Sequence, residues 1–322
     1  MKAARLISRR KIEFLDTPEP EISNKGDIKI KIETLSVCGS DIYLEYDNEL
    51  PEDEYPFIPG APSHECAGTI VESTDPNYKE GQRVIIIPEK INGMQEYLVQ
   101  NRKKLIKLPE WGDISEWVMC QHSGTVLYSS KKWGNISGKT LAILGQGGIG
   151  LSFTMLGAKQ GAKILTAIDL EQYRLEKSLE FGASHSINPS NEDMLSISEE
   201  ITKGEGYDVV VDASGDPNGL NHCIDLVKKE GQIISFSLIR NGKTTLEYQK
   251  FLSKNLNIVS TVVAATNEPI KEIVEMVDYK KSGWMDPGLL KTHDWSWNKA
   301  QEAFEMYRLR QDNVIKIAMS LD

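Results

Sequence analysis

From Asp27 to Glu33 the chain alternates apolar and charged residues, with Ile28, Ile30 and Ile32 set against Lys29 and Lys31. A period of two puts the isoleucines on one face, which predicts a half-buried strand. Gly68–Glu72 and Arg83–Pro88 predict further short strands. Turn-rich loops separate them, among them the acidic stretch Glu45–Glu54, which reads as a solvated surface, or else as the border of a ligand entrance. The pattern changes near Trp117. From Thr140 to Asp212, short apolar runs alternate with amphipathic stretches. Leu141–Leu144, Lys163–Ile168 and Asp208–Val211 read as buried parallel strands, with Ile149–Gln160 and Gln172–Phe181 as the helices between them. Gly231–Phe236 supplies another strand. This alternation predicts an α/β fold, with an open, doubly wound parallel sheet behind a β-rich amino-terminal third.

A chain of 322 residues suits two domains better than one core. Lysine and arginine number 37 against 47 aspartates and glutamates, a net charge of −10. That balance works against binding nucleic acid or an anionic membrane. No apolar run approaches the roughly 20 residues of a membrane span. The basic start, Met1–Arg10, lacks the apolar stretch of a signal peptide, so a cytoplasmic location is expected. Cys38, Cys66, Cys120 and Cys223 contain no Cys-x-x-Cys pair, which leaves the thiols free to bind a metal.

Leu141–Leu144 runs into Gly145-Gln146-Gly147-Gly148-Ile149-Gly150, a Gly-x-Gly-x-x-Gly turn that opens a helix. Gly145 permits the tight turn, Gly147 lets the backbone approach a pyrophosphate, and Gly150 allows the helix to pack closely on the strand. Gly148 and Ile149 begin the helix whose positive end faces the phosphates. A second strand ends in Asp169, 24 residues after Gly145. That is close to the roughly 20 residues expected for the acid that binds the adenosine ribose. A carboxylate there accepts hydrogen bonds from a 2′-hydroxyl and repels a 2′-phosphate, which favours NAD over NADP. Arg174, on the following helix, either approaches the adenosine or is a solvated helix residue.

Cys38-Gly39-Ser40-Asp41 and Ser63-His64-Glu65 offer thiolate, imidazole and carboxylate, donors that suit zinc. Gly68 follows the second group, then Gly81-Gln82-Arg83-Val84, then the glycine turn and Asp169. With these motifs in this order, the chain resembles the zinc-dependent alcohol and polyol dehydrogenases of the medium-chain dehydrogenase family over nearly its full length. The resemblance implies a GroES-like β-barrel catalytic domain over residues 1–121 and 266–322. It implies a Rossmann dinucleotide-binding domain over 122–265, with substrate bound between the two. One catalytic zinc per chain would rest on Cys38 and His64, with Glu65 as ligand or exchangeable near-ligand. Asp41 would hold the imidazole in its tautomer, Ser40 would face the substrate oxygen, and Tyr43 would continue the proton path.

The last ligand stays open between two neighbours. Cys120 lies at the spacing of the liver-type enzymes, and Gln121 at that of the polyol enzymes. The second register also puts Thr125 where relatives carry a threonine near the nicotinamide. Three departures stand out. Ser63 replaces the usual glycine, Tyr43 stands where many relatives carry histidine, and the four-cysteine structural zinc lobe is missing between Arg83 and Tyr97. Trp284, Trp295 and Trp297 read as core packing in the returning segment. The implied activity is hydride transfer between a secondary alcohol, polyol or sugar-like alcohol and NAD, in a homodimer or homotetramer. A zinc-free quinone or enoyl reductase of the same fold, or a non-catalytic NAD-binding protein, is the alternative.

Overall fold

A computed structural model describes residues 1–239 and 242–321, and they divide into two compact units. The first comprises Met1–Gly124 and Pro269–Asp322, the second Thr125–Glu268. In chain order the first unit opens with β1 (Lys2–Ser8), β2 (Lys11–Asp16), β3 (Asp27–Ser36), β4 (Glu65–Ser73), β5 (Arg83–Ile86), β6 (Tyr97–Asn101) and β7 (Leu105–Lys107). The second contains β8 (Thr140–Leu144), β9 (Ile164–Ile168), β10 (His185–Ile187), β11 (Tyr207–Asp212), β12 (Val227–Ser235) and β13 (Asn257–Ser260). The chain then re-enters the first unit with β14 (Lys291–Ser296) and β15 (Lys316–Ser320).

In the first unit the strands follow the order β14-β15-β3-β4-β5-β7, and β6 pairs with β3. The alternation in β3 does what a period of two demands. Ile28, Ile30 and Ile32 are fully buried, whereas Lys31 is exposed. Each buried isoleucine contributes about 1.5–3 kcal/mol relative to exposure. Leu35, Val84, Ile86, Leu105, Ile317 and Met319 complete the same core. Of the three late tryptophans, Trp297 is buried, Trp295 packs at the edge of the core, and Trp284 leans on Tyr279. β15 lies antiparallel to the end of β3, with Ala318 opposite Ser36. The Val37 amide then donates to the Ile317 carbonyl at 3.0 Å. Residues far apart in sequence therefore meet immediately before Cys38.

The second unit is a six-stranded parallel sheet in the order β10-β9-β8-β11-β12-β13. Numbered within the unit, that is 3-2-1-4-5-6, the doubly wound dinucleotide-binding order. β8 reads Thr-Leu-Ala-Ile-Leu, and its last four residues are buried because helices cover both faces of a parallel sheet. Two edge strands, β10 and β13, add to those anticipated from the apolar runs. With three and four residues they are too short to show a period. The strand order reverses between β8 and β11, so the carboxyl ends of these strands form the crevice where a ligand binds.

Candidate active site

The dinucleotide crevice is shaped by close backbone approach. Gly145 has φ +86°, and a Cβ there would lie 2.5 Å from the Ala213 carbonyl oxygen. At Gly150 a Cβ would lie 1.7 Å from the Gly145 carbonyl oxygen. Only glycine permits either approach, and the helix Gly148–Lys159 starts directly against the turn. Asp169, at the end of β9, is buried and bonded to this turn. Its Oδ2 accepts the Gln146 amide at 2.5 Å, and its Oδ1 accepts the Glu171 amide at 2.9 Å. Each carboxylate oxygen keeps a second lone pair for a ribose hydroxyl. Arg174 is not a solvated helix residue. Its side chain is 15% exposed, and Nη1 lies 3.7 Å from Asp169 Oδ2.

The metal-ligating residues gather in the first unit. Cys38 follows β3, and Ser40 precedes a π-helical turn over Asp41–Tyr46, a local form often found at functional sites. His64 and Glu65 lie at the start of β4. Ligand atoms of Cys38, His64 and Glu65 all lie within 4.8 Å of one another, the one such group among the described residues. Ligand atoms on a tetrahedron at about 2.0–2.3 Å from zinc would stand roughly 3.5 Å apart, so a small contraction would close the set. His64 Nδ1 bonds Asp41 Oδ1 at 2.5 Å, which leaves Nε2 for a metal. Ser40 Oγ lies 3.2 Å from Cys38 Sγ and 3.5 Å from His64 Nε2, among the candidate ligands. Burial alone would lower the His64 pKa, but Asp41 and Cys38 raise it well above its ordinary value.

Cys120 and Gln121 sit together at the start of the helix Met119–Ser130, but differ in surroundings. Cys120 is outside the ligand group. Its buried thiol is pushed up to about 12 by desolvation, with Lys280 and Asp286 as its charged neighbours. Gln121 donates from Nε2 to the His64 carbonyl at 2.6 Å, and its Oε1 is buried with no hydrogen-bond partner. An orphaned buried acceptor on a side chain bonded to the His64 backbone fits a bound cation. Thr125 lies one turn further along the same helix, within the second unit.

Three residues of the site carry no motif. His122 is buried, and desolvation together with Lys316 lowers its pKa to about 3. Lys316 is 1% exposed and pairs with Glu65 Oε2 at 2.6 Å. Together with His122 and His64, it offsets the desolvation of Glu65 and lowers its carboxyl to about 2. Glu45 corrects the reading of the acidic stretch as wholly solvated. It belongs to the π-helical turn, and burial with the nearby Asp41 charge pushes its carboxyl up to about 7. Glu52–Glu54 are exposed, as a solvated loop requires. Ser63, in the glycine position, is buried and bridges to Asn92. Tyr43 packs against the core of the first unit, with its ring near Gly39.

A six-stranded nucleotide-binding sheet, and a β domain that gathers thiolate, imidazole and carboxylate, define a two-domain, metal-dependent oxidoreductase. The chain belongs to the zinc-binding alcohol dehydrogenases of the medium-chain family. Residues 24–129 match the alcohol dehydrogenase GroES-like domain, and residues 148–278 match the zinc-binding dehydrogenase domain. The chain is 25% identical to the sorbitol dehydrogenase of Bacillus subtilis (strain 168), covering 98% of this chain and 96% of that one. Its fold is similar to that of an alcohol dehydrogenase from Escherichia coli CFT073 in complex with NADH. The TM-score is 0.86 at 21% identity, covering 100% of this chain and 99% of that one. It is also similar to a Sinorhizobium meliloti 1021 protein described as a zinc-binding dehydrogenase and bound to NADP, with a TM-score of 0.84 at 21% identity over 99% of each chain.

Proposed function

We propose that this protein transfers a hydride between a secondary alcohol of the polyol or sugar-like class and NAD, using one zinc per chain. The grouping of Cys38, His64 and Glu65 within 4.8 Å, with the orphaned Gln121 oxygen or water at the open fourth position, carries the proposal. Zinc held there would supply a Lewis acid that favours the alkoxide near neutral pH, with the dinucleotide as hydride acceptor. Ser40 Oγ, beside Cys38 and His64, would accept a hydrogen bond from the alcohol and, as that proton arrives, pass its own on through the cofactor ribose. Asp41 keeps the proton on His64 Nδ1, and Tyr43 is the next hydroxyl along the same turn. The choice of NAD rests on Asp169. Because Arg174 offsets its charge, discrimination depends on hydrogen bonding to the ribose as well as on repulsion.

Elemental analysis together with a dehydrogenase screen over polyols, sugar alcohols and simple secondary alcohols tests this. One zinc per chain and NAD-linked oxidation of a polyol are expected. Metal-free protein that reduces quinones or enoyl compounds would replace the proposal with the reductase reading. The fourth position has its own test. Cys120→Ala is expected to keep its zinc through dialysis against a mild chelator. A neutral amide is a weak ligand, so Gln121→Ala should lose zinc only a few-fold faster while weakening substrate binding. Loss of zinc from Cys120→Ala alone would move the ligand back to the thiol.

A further inference from the structure

Lys316 is a lone charge in the apolar run Val314-Ile315-Lys316-Ile317-Ala318-Met319, and it is 1% exposed. Its ammonium makes two hydrogen bonds, each to a segment that carries a candidate ligand. One goes to the carbonyl of Val37, immediately before Cys38, at 2.8 Å. The other goes to Glu65 Oε2, immediately after His64, at 2.6 Å. The register explains the reach, since β15 pairs with the end of β3 and places Lys316 beneath the Cys38 loop. Glu65 Oε2 is thus engaged by a cation, and the other oxygen of the same carboxylate is left for a metal. A carboxylate that shares its charge with an ammonium is a weaker donor than a free one, and it cannot chelate through both oxygens.

We infer that Lys316 is a positioning residue for the metal site: by holding Glu65 Oε2 it restricts that carboxylate to a single, half-neutralised oxygen and so keeps one metal position open to substrate. The inference rests on the zinc reading above. Without Lys316, the carboxylate is free to turn fully to the metal, bind through both oxygens and occupy the position substrate needs. The metal is then held more tightly and the enzyme turns over more slowly, a combination that a general loosening of the fold cannot produce.

The holoprotein with cobalt(II) in place of zinc gives the test, because its visible bands weaken as coordination rises from four to five. In Lys316→Met, we expect metal removal by 1,10-phenanthroline to slow at least tenfold, the visible bands to weaken, and kcat to fall at least tenfold. Lys316→Arg keeps the bond to Glu65 and is expected to retain the parent spectrum. Lys316→Met combined with Glu65→Gln removes both charges, and the metal should leave at least as fast as from the parent. Lys316→Gln retains a donor without the charge and serves if the methionine variant does not fold, with the same changes at smaller size. Metal leaving Lys316→Met, or Lys316→Gln where it stands in, at the parental rate or faster, with an unchanged spectrum, overturns the inference. Failure of the zinc reading is distinguishable, since the unmodified protein would then carry no zinc before any variant is made.

Discussion

His64→Ala is expected to yield a folded protein that carries no zinc and has lost activity by at least roughly a thousandfold, because the Lewis acid that favours the alkoxide goes with the ligand. The imidazole is one of only three strong donors in the group, and Asp41 is committed to holding it. Removing it leaves Cys38 and Glu65, and Glu65 already has one oxygen on Lys316. Two donors do not hold zinc against dialysis in a site that needs three protein ligands. Cys38→Ser should behave alike. Circular dichroism establishes the fold, elemental analysis the metal, and turnover of the preferred alcohol the activity. Full zinc occupancy in either variant would show that the ligand set lies elsewhere.

The second large effect concerns the cofactor. In Asp169→Ser, affinity for NAD should fall by about 10- to 100-fold, the cost of a lost charge-assisted hydrogen bond and of a loosened turn. The turn matters because Asp169 Oδ2 also bonds the Gln146 amide inside the glycine motif. NADP should gain at the same time. Arg174 lies 3.7 Å from that carboxylate, and without its counter-charge it is placed to meet a 2′-phosphate. Titrating both cofactors against the parent and the variant gives two ratios. Parental protein that binds NAD and NADP equally would defeat the NAD assignment, and a variant that weakens both alike would reduce Asp169 to a structural role.

Local pattern made part of this molecule legible. The alternation at Ile28, Ile30 and Ile32, the apolar run of β8 and the glycine turn each lie within a few residues, so sequence alone exposes them. Asp169 stands at the spacing from the glycine turn that its chemistry requires, whereas Cys38, Asp41 and His64 are too widely spaced to be singled out except through the resemblance to the zinc-dependent dehydrogenases. What sequence could not resolve depends on which face of a helix turns inward. Cys120 and Gln121 are adjacent, roughly 100° apart around the helix, and only packing decides between them. His122, Glu45 and Lys316 belong to no motif. Lys316 meets Glu65 across 251 residues, a distance no periodicity reports. It did leave one signal, a single charge inside an apolar run, which in a buried strand implies a buried partner.

The discontinuity of the first unit also orders events on the ribosome. Domains tend to fold as units as they emerge, amino-terminal first. Here Thr125–Glu268 emerges uninterrupted and can fold as soon as it clears the exit tunnel. The unit begun earlier must wait for the segment from Pro269 onward, because β15 supplies both the strand beside Val37 and the ammonium that binds Glu65. During synthesis the Cys38 thiol and the His64 imidazole therefore exist for some time without the scaffold that sets their geometry. On the zinc reading, metal loading would be deferred until β15 has emerged, and the nucleotide-binding half would be the first to be competent.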